Sequence, residues 1–375
     1  MKNHRTAGRF GLYAALGLIW PAALPAQTTI TAADLFNQVG QYYRAYANAT
    51  NNTSVSVSGM LGPAGGPQAW DFTSGPSDVI YRFDYLAATN TPNAADFVAA
   101  GAQVAEQKTD ETAGGAQAWL YFTQDPAKGR LTYGFYDPSF AAGIGGSQAE
   151  EVFSSALNDF PATIHYGTTW SSSTTFTNTI TFGDPEDPLG GFFSMDLLIA
   201  YSATDVVDAY GVANSPGIGF GDCLRVNELV TYDISYDDGS GFQHLETDYV
   251  RNYYWLRPGR GIVAQVTSQQ SNSAPPDDNF LTATAVVRMF ETNHPDGGGG
   301  EPGGGIQGLK ITLGKNGALL QWTALPSVTS YRVEYTTSAG GGWQAVGDPT
   351  TANYFIDAAA GKPDAPMRFY RVVGL

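Results

Sequence analysis

The chain of 375 residues has a single cysteine, Cys223, so no intrachain disulfide can form and stability has to come from burial. Basic residues are scarce: 19 Lys and Arg face 35 Asp and Glu, a formal net charge of −16. That balance repels nucleic acid and anionic lipid and argues against either as a partner. The four histidines, His4, His165, His244 and His294, are scattered and lack metal-ligand spacing. No cofactor motif is present. Gly259-Arg260-Gly261 lacks the third glycine and following helix of a nucleotide loop and reads as a turn. Past residue 26, no apolar run approaches the ~20 residues of a membrane-spanning helix.

What is present begins with an export address. Lys2, Arg5 and Arg9 precede an apolar run over residues 10–20, and Pro21 and Pro25 break it before the small residue Ala26. This is the layout of a cleaved signal peptide, with the cut expected after Ala26 and the product secreted, periplasmic or at the cell surface. Its removal leaves 16 basic against 35 acidic residues, net −19. No cysteine follows the expected cut, which argues against a lipid-anchored N terminus.

Aromatics are plentiful, with 20 Phe, 21 Tyr and 7 Trp, and they supply apolar area for a core. Val79, Tyr81, Phe83 and Tyr85 alternate with Ile80, Arg82 and Asp84, a period of two that marks half-buried strands. Similar runs cover residues 119–121, 131–135, 176–182, 197–201, 224–236, 249–256, 262–267 and 282–290, each bounded by Gly, Pro, Asp or Asn. Residues 237–241 and 258–261 read as hairpin turns. Leu35, Val39, Tyr42 and Tyr46 recur at near-helical spacing, and Thr31 with Asp34 makes a capping box, so residues 31–50 are expected to form an N-terminal helix. Residues 148–159 are a candidate second short helix. The expected fold is mainly β: a large antiparallel, curved, half-barrel-like sheet over residues 27–295 carrying the N-terminal helix. Whether that region is one unit or two, with a seam near Phe160, stays open. A glycine-rich tether at residues 296–305 then leads to a small β-sandwich at 306–375.

Two resemblances accompany this reading. The larger rests on an ordered series within residues 59–295. It opens with Gly62-Pro63-Ala64-Gly65 and Trp70-Asp71-Phe72, then Asp159-Phe160-Pro161 with Tyr166-Gly167 and Trp170. Val207-Asp208-Ala209-Tyr210-Gly211, Pro216-Gly217 and Cys223-Leu224-Arg225-Val226 follow, and Tyr254-Trp255 with Gly259 and Gly261 closes it. The series resembles a group of exported β-rich proteins of Bacteroidota and related bacteria with no assigned chemistry. Over residues 307–375, Trp322 and the Tyr331-x-Val333-x-Tyr335 strand resemble a fibronectin type III domain. A weaker likeness, of fold alone, is to the periplasmic lipoprotein carriers, whose curved sheet shelters an acyl chain.

No catalytic set assembles from the sequence. Ser147 in Gly145-Gly146-Ser147-Gln148-Ala149 approximates a nucleophile elbow, but Pro138 and Gly143 interrupt the strand it needs. The acids at 184–187 and 237–238 match no calcium-loop spacing. Asp71, Asp84, Asp208 and Asp222 could pair across a sugar cleft, with Trp70 and Trp170 as stacking platforms. The leading expectation is a non-enzymatic exported binding or structural protein, with Trp70, Asp71, Trp170, Asp208 and Tyr210 as candidate ligand contacts. Its expected partner is a cell-surface glycan, an envelope component or an apolar ligand. The alternatives are a carbohydrate-binding or carbohydrate-active protein and a carrier of lipid or apolar molecules.

Overall fold

The computed structural model describes residues 28–114, 117–138, 149–182, 193–237, 239–294, 309–314, 317–322, 330–337, 343–360 and 368–374. The expected signal peptide at 1–26, the expected tether at 296–305, Ser147 and the acids at 184–187 lie outside the described residues.

Up to residue 294 the strands are β1 (Ile30–Thr31), β2 (Tyr42–Ala47), β3 (Val55–Ser56), β4 (Gly65–Asp71), β5 (Val79–Ala87), β6 (Val104–Asp110), β7 (Gln117–Asp125) and β8 (Gly129–Tyr136). They continue as β9 (Glu150–Phe160), β10 (Thr163–Ile164), β11 (Thr169–Phe182), β12 (Phe193–Ser215), β13 (Gly219–Asp237), β14 (Phe242–Arg257), β15 (Gly261–Ser268) and β16 (Thr282–Thr292). One short helix, α1 (Ala94–Ala100), stacks Phe97 on Tyr121 at 3.8 Å.

Fourteen of these strands form one sheet. Its path runs β11-β12-β13-β14-β15-β16-β2-β5-β6-β7-β8-β9, antiparallel throughout. Off this path, β3 pairs with β16 antiparallel and β4 pairs with β12 in parallel. The two ends of the path, β9 and β11, are joined in sequence only by residues 161–168. A link that short spans at most ~30 Å, so the sheet has to curl until its edges meet. They meet through side chains. Thr175 Oγ1 and Ser154 Oγ lie 2.7 Å apart, Thr174 Oγ1 donates to the Ser155 carbonyl at 2.9 Å, and Asn178 donates to Glu151. No backbone ladder joins β9 to β11 among the described residues, so the half-barrel stays unclosed.

The expected N-terminal helix is not there. Residues 32–34 form one 3-10 turn, with Asp34 Oδ2 accepting from the Thr31 N–H at 2.8 Å, and the chain then becomes β2. Tyr42 and Tyr46 share a strand face as readily as a helix face, because both periods bring i and i+4 together. Gly40 sits at φ 91°, which ends any helix there, and Val39 is exposed. Pairing of β2 between β16 and β5, with Tyr43, Ala45 and Ala47 facing inward, overrides the local preference. The candidate helix at 148–159 is strand β9. Its pairing with β8 slips between Arg130 and Leu131 and between Thr132 and Gly134. Those slips let Phe153, Leu157 and Phe160 face one way at a spacing that imitates a helix. Gly134 is required at the second slip, because a Cβ there would lie 2.1 Å from the Glu151 carbonyl oxygen.

The sheet has two packed faces. On the convex side of β13–β16, residues 57–76 cover Arg225, Trp255 and Arg288, with Phe72 edge-on to Trp255 at 4.8 Å. The alternate residues of the same strands, Glu228, Tyr254 and Met289, face the concave side. The two-stranded β1–β10 sheet packs in a cluster with Phe160, Val207 and Leu256.

Past residue 308, β17 (Lys310–Gly314), β18 (Gly317–Gln321) and β21 (Tyr354–Asp357) form one antiparallel sheet. β19 (Tyr331–Thr336), β20 (Gln344–Ala345) and β22 (Phe369–Gly374) form a second. Leu320 from the first and Val333 and Val372 from the second share one core with Trp322, which meets the Tyr331 ring at 5.4 Å. This is the expected small sandwich. No described helix is long and apolar enough to cross a membrane.

Candidate functional site

The concave face encloses a cavity of about 390 Å3, and every one of the twelve path strands contributes to its wall. That volume falls in the range of about 300–1,000 Å3 usual for small-molecule sites. Much of the wall is apolar, including Phe83, Phe135, Phe153, Leu157, Phe176 and Met289. Tyr201 and Tyr232, cross-strand partners on β12 and β13, meet edge to face at 5.4 Å.

Four acids and one base interrupt this lining: Glu106, Asp159, Asp205, Glu228 and Arg130. Arg130 is committed to Asp159, with Nε 3.2 Å from Oδ2, and lies over the Phe160 ring. Thr132 also donates to Asp159, and Tyr85 donates to Glu106. Glu228 accepts from Asn252 Nδ2 at 2.6 Å and from the Tyr254 hydroxyl at 2.9 Å. Asp205 is the direct cross-strand partner of Glu228, is only 6% exposed, and accepts no hydrogen bond from any described residue.

Burial pushes the Asp205 carboxyl up to about 9, and the neighbouring Glu228 and Asp159 charges add to the rise. Burial likewise lifts Glu228 to about 7, against the pull of the Asn252 and Tyr254 hydrogen bonds. Asp159 is raised by burial in spite of Arg130. Near neutrality the Asp205–Glu228 pair therefore holds at least one proton, shared as a unit.

The residues singled out from sequence lie elsewhere, and none of the five is part of the cavity wall. Trp70 is a core residue whose Nε1 donates to the Leu61 carbonyl at 2.8 Å. Asp71 closes a turn through the Thr73 hydroxyl (2.7 Å) and N–H (3.0 Å), and those bonds lower its carboxyl. Asp208 forms a two-point ion pair with buried Arg225, both contacts at 2.8 Å. Tyr210 packs edge-on to Tyr166 at 4.9 Å. Trp170 comes nearest: it is the cross-strand partner of Asp205, and its Nε1 donates to the Asp159 carbonyl at 3.0 Å. Among the other carboxylates weighed, Asp84 pairs with Arg82 at 2.8 Å and Asp222 is exposed.

Sequence reasoning missed Asp205 and Glu228, although a signal for them exists. Glu228 is in phase with Val226 and Val230, and Asp205 with Ala203 and Val207. An acid on the apolar phase of a strand points inward, where it is costly unless it has a use.

A curved sheet folded around a mixed apolar and acidic cavity defines the class of this domain. No family model matches the chain, and no curated protein matches it. A crystal structure of a "putative lipoprotein" from Parabacteroides distasonis is similar in chain course over 69% of this chain and 97% of its own, at 11% identity and a TM-score of 0.26. A superposition at that level carries no argument about function.

Proposed function

We propose that the protein is an exported, non-enzymatic binding protein that shelters a small, largely apolar molecule inside its curled sheet. The carrying observation is the cavity, walled by all twelve strands of the path and large enough for a ligand. A sheet that only had to be stable would fill that space, since each void forfeits packing energy. The N-terminal basic and apolar segment supports export. In this reading the 306–375 sandwich is a fibronectin type III-like module that tethers or spaces the binding domain. The carrier alternative is thus preferred over the glycan alternative, because Trp70 is buried and cannot serve as a sugar platform.

The test is uptake of a neutral fluorescent probe, N-phenyl-1-naphthylamine, by the mature protein. Ala45 on β2 lies on the cavity wall opposite Met289, with none of its surface exposed. Ala45→Phe fills part of the space at an overpacking cost of about 1–3 kcal/mol, so the variant should fold and bind the probe at least about tenfold more weakly. A wild-type protein that takes up no probe, or a folded variant that binds it equally well, would refute the reading.

A further inference from the structure

We infer that the cavity selects a small organic cation, a protonated amine on an aromatic or aliphatic body, with its ammonium against Asp205 beside Glu228. This deepens the binding reading above and rests on it. The first ground is an acceptor without a donor. Asp205 is more than nine-tenths buried, faces the cavity, and has no hydrogen-bonding partner among the described residues. Buried polar groups are nearly always paired, so an unpaired one in a cavity marks the place where a ligand's donor belongs.

The second ground is the sign of the lining. Four acids line the space with one base, and that base, Arg130, is already bonded to Asp159. A carboxylate or phosphate ligand would enter a field of its own sign, whereas an ammonium would relieve it. The third ground is the aromatic wall. Tyr201 and Tyr232 lie four positions along their strands from Asp205 and Glu228 and so share their face. Ring faces attract cations, most strongly where water is excluded. The acids are too dispersed to act as metal ligands, for no group of three or more that could hold a metal ion occurs among the described residues. A molecule with its own apolar body and one charged end fits the arrangement, whereas a bare ion does not.

The proton balance gives an independent readout. The titratable groups facing Asp205 across the cavity are Glu228, Asp159, Glu106, Arg130, Tyr43, Tyr201, Tyr232 and Tyr254. Burial lifts the Asp205 and Glu228 carboxyls toward and past neutrality. An ammonium binds the ionised Asp205–Glu228 pair best, so its arrival releases protons and its affinity rises with pH until the amine itself deprotonates.

The experiment uses three probes of one shape, 4-phenylbutylamine, 4-phenylbutan-1-ol and 4-phenylbutanoate, titrated calorimetrically into the mature protein. The expected result at pH 8 is amine binding about tenfold or more tighter than alcohol, with butanoate weakest. Amine affinity should climb between pH 6 and pH 8.5 while alcohol affinity stays level. Asp205→Asn should collapse the amine-to-alcohol ratio to within about threefold, and Glu228→Gln should lower it as a second, independent variant. Equal binding of amine and alcohol, or an unchanged ratio in folded Asp205→Asn, would overturn the amine inference and leave the binding reading intact. If none of the three probes bound, the amine inference would fall, and failure of the neutral dye as well would remove the binding reading with it.

Discussion

Replacing Asp205 by Asn should stabilise the ligand-free protein, and should do so more strongly as pH rises. In an unfolded chain the Asp carboxyl titrates near ~3.9. Buried beside Glu228 and Asp159 it titrates at about 9. Below about pH 4 both states are protonated and the group has no effect on stability. Between the two values the folded state holds a proton that the unfolded state has released. Stability is then lost with rising pH at up to ~1.4 kcal/mol per unit, and the loss levels off above the folded value. At pH 7 the ceiling is about 4 kcal/mol. Asn keeps the size and polarity of the side chain and carries no charge, but its amide needs partners of its own. Relaxation and water in the cavity reduce the gain further, to about 1–3 kcal/mol, each kcal/mol worth roughly 2 °C of Tm in a domain of this size. The assay is thermal unfolding of wild type and variant from pH 4 to pH 9. The gap should be near zero at pH 4 and widest at the alkaline end. A gap independent of pH, or a variant less stable at pH 8, would mean that Asp205 makes a favourable charged contact, and the reasoning about the empty cavity would fail. Such an outcome would also remove the reason to see Asp205 as held in readiness for a ligand at the expense of stability.

Two further outcomes follow from the geometry. Asp208→Ala leaves Arg225, 2% exposed and bonded to the Leu61 and Gly62 carbonyls, without its carboxylate, and should cost about 3–5 kcal/mol in denaturant unfolding; full stability with lost binding would instead make Asp208 a ligand contact. Ser154→Cys with Thr175→Cys replaces hydroxyls 2.7 Å apart on β9 and β11, so the pair should oxidise readily while buried Cys223 stays reduced; two free thiols persisting after oxidation would mean that the sheet edges stand apart in solution.

Much of the half-barrel was legible because its cause is local. Alternation at 79–85 reflects one buried and one partly exposed strand face, the runs at 224–236 and 262–267 are strand-forming segments packed on both faces, and turn residues bound each run. Asp237 illustrates this, since its Oδ1 accepts from the N–H groups of Gly239 and Gly241 and closes the hairpin that composition alone suggested. The two helix readings failed where i and i+4 coincide in both periods, at Tyr42 and Tyr46, and where bulges reset the phase of β9. Neither ambiguity can be resolved without knowing which strand lies alongside.

The candidate site was less legible for the same reason. Trp70 and Asp208 stand out in the sequence, but their surroundings are a carbonyl and an arginine supplied from residues 9 and 17 positions away. Asp205 and Glu228 become a pair only through the β12–β13 register, and Asp159 reaches the same space only because the sheet curls until its first and last strands touch. From the sequence alone came the acidic charge, the reliance on burial without disulfides, the positions of most strands and the sandwich that follows them, all of them properties of neighbouring residues. Which acids share a cavity, and which are left there without a donor, was decided by strand pairing and curvature, which bring together residues that no local pattern connects.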